Sequence, residues 1–371
     1  MKKLKKISTH IIAEIGVNHN GNLANAKKLM KLAKNAGANS VKLQTYDADS
    51  IVIKDAPKAK YQLKNTNTNE SQYSMLKKYQ LTHKEYLSLI SYSKKIDIEL
   101  FSTACDLQSL FYIHKKLKFK KIKISSTDLT NIPLLLMAGA TKRKIIISSG
   151  MANIDEIDVA LSALSYGYAN GFKLDMSKFS RIQHKKYYLK NKKYLFKHIT
   201  LLHCTTDYPA ALDELNLNTL ETLKSRYEIR VGYSDHSNNP ITPIIAVSKN
   251  IETIEVHITL DNNMPGPDHI CSLNMTDFKK YVDHIRKTEI ALGSFIKKAT
   301  TSELKNMKSV RKSLTINMDI LKGEKITIDS LTAKRPEKGI PSINYTDYIG
   351  KIAKKNLKKG TFLKTKDLKV R

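Results

Sequence analysis

Eight times over, the chain alternates between a short run rich in isoleucine and valine and an amphipathic stretch of helical length. The strand-like runs fall at about 10–17, 40–46, 98–104, 121–126, 144–149, 199–206, 229–234 and 253–260. Helix signals punctuate the gaps. The stretch 22–35 stops at Gly37, and Thr82 with Glu85 makes a capping box that opens a helix to about Lys95. Further helices are expected at 106–117, 133–139, 153–164, 217–226, 240–250 and 276–292. Eight strands, each followed by a helix, is the count of a (β/α)8 TIM barrel, an α/β fold. An open doubly wound sheet shares the alternation, but no Gly-x-Gly-x-x-Gly follows the first strand here.

A barrel of this kind puts its chemistry at the C-terminal ends of its strands. Those ends carry Glu14, Asn18 and His19; Lys42 and Gln44; Ser102 and Thr103; Lys123, Ser125, Ser126 and Asp128; Ser148 and Ser149. They continue with His203, Thr205, Thr206 and Tyr208; Ser234, Asp235 and His236; Glu255 and His257. One lysine on a barrel strand can snorkel to the rim. Two of them, with a ring of hydroxyls, suit a compact polyanion such as a phosphate or a phosphorylated acid. His236 and His257 end neighbouring runs. Each alone also reads as a hydrogen-bonded structural residue; as a pair they can hold one divalent metal and leave positions open for a substrate. The loop Pro265-Gly266-Pro267-Asp268-His269 follows at once and brings more polar groups.

Two connections are longer than a crossover requires. The stretch 55–73 reads as a long loop over the mouth, either a lid or a plain surface excursion. The basic stretch 173–197 reads as a surface insertion. After Leu292 the pattern changes. Residues 293–308 read as a linker with a helical stretch near 302–307, and 309–371 as a small β-rich domain. Within it Ile320-Leu321-Lys322-Gly323-Glu324 and Leu357-Lys358-Lys359-Gly360-Thr361 look like one repeated unit.

Composition bounds the partners. The net charge is +30, but the lysines are spread along nearly the whole chain and no aromatic-interleaved RNA motif accompanies them. Compositional bias explains this better than a nucleic-acid surface, and no nucleic-acid partner is expected. No stretch has the apolar length of a membrane span, and Met1–Lys6 is not followed by a signal-peptide core or cleavage site. Three widely spaced cysteines fit a reducing compartment, so a cytoplasmic protein is expected, without a membrane partner.

Read in order, the segments IIAEIGVNHNG, SVKLQTY, FSTACD, KIKISSTDLTNIPLL, IIISSGM, LLHCTTDYP, VGYSDHS, EVHITLDNNMPGPDH and KRPEKGI resemble the sialic acid synthases. These phosphoenolpyruvate-condensing enzymes make nine-carbon acidic sugars and carry a C-terminal antifreeze-like (SAF) domain. The resemblance covers nearly the whole chain; the stretch 173–197 departs from shorter relatives. It implies that His236 and His257 hold a divalent metal, usually manganese, with magnesium or cobalt as alternatives. It implies that Lys42, Thr103, Lys123, Ser126, Ser148 and Ser234 bind phosphoenolpyruvate. Glu14, Gln44, Tyr208 and Asp268 match positions around an N-acylated hexosamine, and Arg335 matches an arginine supplied by a partner subunit, hence a domain-swapped homodimer. Glu14, Asp128 and His236 stand in catalytic positions. The first expectation from this resemblance is condensation of phosphoenolpyruvate with open-chain N-acetylmannosamine and water to N-acetylneuraminate and phosphate. The alternative is a legionaminate or pseudaminate synthase using a diacetamido-trideoxyhexose.

Overall fold

The computed structural model describes residues 8–66, 68–182 and 184–369. The Met1–Lys6 stretch weighed above as a leader lies outside the described residues, as do Asn67 and Gln183 within the two long connections. The chain divides after Gly293 into two compact units.

Among the described residues the first unit is a closed barrel of eight parallel strands in sequential order. They are β1 His10–Gly16, β2 Ser40–Thr45, β3 Glu99–Ala104, β4 Lys121–Ile124, β5 Lys144–Ser148, β6 Ile199–His203, β7 Arg230–Asp235 and β8 Thr253–His257. Closure comes from β1, which pairs with β2 on one side and β8 on the other, with Glu14 opposite Lys42 and His257.

The period-two alternation of each strand decides what faces where. Ile11, Ala13 and Ile15 of β1 and Val41 and Leu43 of β2 point outward into the main core, against the helices. Ile12, Phe101, Ile146 and Leu202 point inward and form a separate buried cluster inside the barrel. Two residues further along the same faces stand Glu14, Thr103 and Ser148. The barrel therefore has an apolar floor and a polar upper layer. Gly232 on β7 keeps that floor closed: a Cβ there would meet Thr253 O at 2.3 Å and Leu202 Cδ2 at 2.6 Å.

Helices follow the strands as the capping signals dictate. Asn22 caps α1 (Leu23–Ala36) by accepting from Ala24 and Asn25, and Gly37 ends it with φ 102°. The Thr82–Glu85 capping box opens α5 (His83–Lys95). The connection after β2 carries three short helices, α2 Ala48–Ile51, α3 Lys60–Thr66 and α4 Gln72–Tyr79, so the stretch 55–73 expected as a loop holds one short helix and the start of another. Its stability comes from inside. The Lys58 side chain is fully buried, and Nζ donates to Thr66 Oγ1 (2.9 Å), Thr68 Oγ1 (2.6 Å) and Thr68 O (3.0 Å), with Glu70 Oε1 at 3.3 Å.

Beyond β3, α6 (Leu107–Phe111) gives way to a π-helical turn at Tyr112–Leu117. Next come α7 (Ile132–Ala140) and α8 (Ile154–Asn170), which touch backbone to backbone. A Cβ on Gly139 would lie 2.3 Å from Leu164 O, and one on Gly167 2.1 Å from Leu136 O. The basic stretch expected as a surface insertion holds α9 (His184–His198), the last helix before β6. Leu195 is fully buried and Leu174, Phe179, Tyr187 and Tyr188 pack on the core, while most other described residues of the stretch are exposed, as on a surface insertion anchored at a few points. The circuit closes with α10 (Thr219–Tyr227), α11 (Thr242–Ser248) and α12 (Met275–Leu292). No helix among the described residues is long and apolar enough to cross a membrane.

The second unit opens with α13 (Thr301–Val310), and β9 (Ser313–Ile316) pairs antiparallel with β10 (Leu331–Lys334). Its core is Leu314, Ile316, Ile320, Ile326, Leu331, Ile340, Ala353, Leu357, Leu363 and Leu368. The repeated fragments of the sequence pair with each other. Ile320 and Leu357 exchange backbone hydrogen bonds of 2.9 and 2.8 Å. Lys322 N donates to Asn356 Oδ1 at 2.8 Å, and Lys359 N donates to Asp319 Oδ1 at 2.7 Å. Gly323 N reaches Ala353 O while Gly360 N reaches Ile316 O, and both glycines hold positive φ. The unit is thus two copies of one motif related by a local two-fold axis.

Candidate active site

One cavity opens at the C-terminal ends of the barrel strands. Its walls include Glu14, Lys42, Gln44, Thr103, Lys123, Ser126, Ser148, Tyr208, Ser234, His236, His257 and Asp268, twelve of the fourteen residues singled out from the sequence. Asp128 is not among the lining residues. Its carboxylate accepts from Ser125 Oγ (2.7 Å) and Asn131 Nδ2 (3.2 Å), which ties down the turn after β4. Arg335 lies in the second unit, where its side chain is exposed.

Four buried charges form the floor of the cavity. Lys42 Nζ lies 2.8 Å from Glu14 Oε2 and donates to Thr103 Oγ1 at 2.9 Å. Lys123 Nζ donates to Glu255 Oε1 at 2.8 Å, and Lys42 stands 3.8 Å from the same oxygen. Ser234 Oγ adds a 3.2 Å contact to Glu255 Oε1. Glu255 links both lysines, although neither its spacing nor a motif singled it out as a ligand-binding group. The available signal was period two: Glu255 precedes His257 by two residues on β8 and shares its face.

Charges in this ring set one another's protonation. Burial works against the Glu255 carboxylate, yet Lys123 and Lys42 outweigh it and hold its pKa at about 2. Burial likewise opposes the charge on Lys42, but Glu14 and Glu255 raise its pKa above the ordinary value. Burial lowers the Lys123 pKa, against the pull of Glu255. Glu14 is pushed up to about 7 by burial, with Lys42 opposing and Glu255 adding to the rise.

Beside this ring stand the two histidines, their ring centroids 5.6 Å apart. His236 Nδ1 is 2.6 Å from Thr205 O, so it donates there and leaves Nε2 as the acceptor, 3.3 Å from Ser234 Oγ. Burial lowers the pKa of both rings, and for His257 the neighbouring His236 lowers it further. Both are neutral at pH 7 and offer a nitrogen lone pair. Among the described residues no three His, Cys, Asp or Glu side chains are grouped as a metal site. The pair by itself fits a divalent ion that takes two imidazoles and fills its other positions from substrate or water. Tyr208 lies over His236 with centroids 4.3 Å apart, and Tyr61 lies 5.0 Å from Tyr208.

Asp268 completes the polar wall. Burial raises its carboxyl pKa to about 6, with Lys42 opposing. In the unfolded chain this group titrates near pH ~4. Between those values the folded protein holds a proton that the unfolded chain has released, so stability falls as pH rises from about 4 to about 6. Asp268→Asn removes that term. The variant is expected to lose about 3 kcal/mol less than wild type across this interval. Thermal melts of both proteins at closely spaced pH values check it; parallel curves would contradict the assignment.

Residues 29–297 match the model of the NeuB family and residues 311–369 that of the SAF domain. N,N'-diacetyllegionaminic acid synthase of Campylobacter jejuni is 42% identical over 356 residues, 96% of this chain and 99% of that protein. The Legionella pneumophila protein of the same name is 36% identical, over 95% of this chain and 92% of its own. Among solved structures, N-acetylneuraminic acid synthetase from Leptospira borgpetersenii, in complex with citrate, superposes with a TM-score of 0.64 at 29% identity. That match covers 81% of this chain and 90% of the other.

Proposed function

From the premise that this chain belongs to the NeuB family, we propose that it condenses phosphoenolpyruvate with an open-chain diacetamido-trideoxyhexose and water, giving a legionaminate-type nonulosonic acid and phosphate. The observation that carries the chemistry is a single cavity holding two buried lysines, a row of hydroxyls and two neutral imidazoles. The choice of sugar rests on the relatives. Two that match nearly the full chain bear the diacetyllegionaminic name, which favours the alternative reading of the sequence over N-acetylmannosamine.

In this reading Lys42 and Lys123 hold the phosphate and carboxylate, with Thr103, Ser126, Ser148 and Ser234 as donors to the anion. The hydroxyl of Thr206, buried in the cavity wall without a partner, adds one more donor of that kind. His236 and His257 would hold a divalent metal, usually manganese in this family, which as a Lewis acid would polarise the sugar aldehyde. Carbon 3 of phosphoenolpyruvate forms the new bond to the aldehyde carbon. Water adds at carbon 2, and the tetrahedral intermediate expels phosphate. The aldehyde oxygen must gain a proton and the attacking water must lose one. Glu14, whose pKa burial raises against the pull of Lys42, is suited to that exchange. Gln44 donates to Glu14 Oε1 at 3.3 Å and, with Tyr208 and Asp268, would orient the sugar. Asp128 enters as a positioning residue for the Ser125–Ser126 turn. Arg335, by resemblance, would reach the acyl group from the partner subunit of a domain-swapped homodimer. The three cysteines are free, which supports a cytoplasmic enzyme.

The test is phosphate release from phosphoenolpyruvate with manganese, run separately with the diacetamido sugar and with N-acetylmannosamine. Release that requires the diacetamido sugar is expected. Release with N-acetylmannosamine alone would overturn the choice of sugar, and release with neither would overturn the reaction.

A further inference from the structure

The cavity is lined by two kinds of surface. The strand ends supply the lysines, hydroxyls and histidines. The connection after β2 supplies Tyr61, Met75, Leu76 and Tyr79. Met75 and Tyr79 are almost completely buried, and with Val17 and Tyr46 they make an apolar cluster of their own, joined by Ile51, Leu76 and Cys105. We propose that this cluster selects the sugar, taking the methyl carbon at the 6-deoxy end of the open chain and disfavouring a sugar with a hydroxyl there. The inference rests on the reading under Proposed function, because it presumes that the aldehyde end lies at the histidines. The far end of the open chain then has to occupy the remaining part of the cavity.

The wall is built, not draped. Buried Lys58 ties Thr66, Thr68 and Glu70 together, Tyr46 Oη donates to Leu76 O at 3.0 Å, and Lys77 Nζ donates to Asp49 Oδ2 at 2.8 Å. Asn65 Nδ2 donates to Pro267 O at 2.8 Å, which fastens the segment to the loop bearing Asp268. The amide of Gln62, a polar side chain of this segment at the cavity, is committed. Its Oε1 accepts from Ala59 N at 3.0 Å and Gln72 Nε2 at 3.1 Å, and its Nε2 donates to Tyr61 Oη at 3.3 Å. A methyl group against the thioether of Met75 and the branched end of Leu76 gains contact. A hydroxyl in the same place exchanges water for carbon and sulfur. Such an apolar site discriminates against an added hydroxyl by at most about 10²-fold.

The test compares kcat/KM for the diacetamido-trideoxyhexose and for N-acetylmannosamine in wild type and in Leu76→Asn. Leu76 is only partly buried, so the variant should fold; Met75→Gln serves as the second probe and Leu76→Met as the conservative rescue. Wild type should favour the deoxy sugar. Leu76→Asn should cut the preference about 10-fold, through the KM for the deoxy sugar, while KM for phosphoenolpyruvate moves less than about twofold and Leu76→Met restores the ratio. If wild type favours the deoxy sugar and both polar variants keep its ratio, this inference is overturned and the proposed reaction stands. If wild type uses only N-acetylmannosamine, the proposed substrate fails and takes the inference with it.

Discussion

Lys123→Met should lower kcat/KM for phosphoenolpyruvate by about 10²–10³-fold, the larger part of it in KM. Losing one preorganised group that stabilises charge in a buried site costs about 10²–10³-fold; breaking the buried ion pair costs folding stability as well, about 3–5 kcal/mol. Here the pair is Lys123 Nζ with Glu255 Oε1 at 2.8 Å, both side chains nearly inaccessible. Loss of the ammonium leaves Glu255 with Lys42 at 3.8 Å and removes one of the two cations facing the anion. Stability and binding can be separated. Adding Glu255→Gln to Lys123→Met removes the uncompensated carboxylate, so the melting temperature should recover while kcat/KM does not. Initial rates of phosphate release over a range of phosphoenolpyruvate concentrations, with thermal melts of the three proteins, decide the matter. An undiminished kcat/KM in folded Lys123→Met would remove this lysine from the anion site.

His236→Ala should be almost as severe. Loss of a residue that merely orients a metal ligand lowers metal affinity or activity 10–100-fold as a rule, so losing one of two imidazoles should exceed about 10²-fold. The readout is manganese titration without substrate, followed by paramagnetic resonance, beside phosphate release at saturating metal. Binding should weaken in His236→Ala, and equally in His257→Ala. Unchanged manganese affinity in both would place the metal elsewhere. The Nδ1–H of His236 pointing at Thr205 O makes a further distinction: His236→Gln keeps a hydrogen-bonding side chain yet lacks the imidazole nitrogen, and it should not rescue binding.

Much of this architecture was legible because each cue is local. The strands were visible in runs such as Lys144–Ser148, where isoleucines fill a strand buried on both faces, and the capping box at Thr82 marked its helix start. The histidine pair and the two lysines were legible because charged groups have no apolar reason to sit on barrel strands. Glu255 was seen at a strand end but not given a role, because its meaning depends on Lys42 and Lys123, residues more than a hundred positions away. The helices after β2 were hidden for a related reason. Asn- and Thr-rich composition says loop, while the order comes from the buried ammonium of Lys58 collecting carbonyl and hydroxyl oxygens. In the basic stretch the lysines advertise a surface, and the few residues that anchor α9, such as Leu195, are too thinly spaced among them to announce a helix. The two-fold character of the C-terminal unit was visible as a repeat, but its hydrogen bonds between copies were not.

The apolar plug of Ile12, Phe101, Ile146 and Leu202 has a kinetic meaning. It fills the barrel beneath the lysines, so a ligand reaches them from the side of the strand ends. Whatever rests against the lysines arrives first and leaves last, and a sugar bound above it blocks its escape. With phosphoenolpyruvate on the lysines, as proposed, filling is expected in the order phosphoenolpyruvate before the hexose, and an unreactive sugar analogue should inhibit uncompetitively against phosphoenolpyruvate. Competitive inhibition would mean that the two ligands share the deep position.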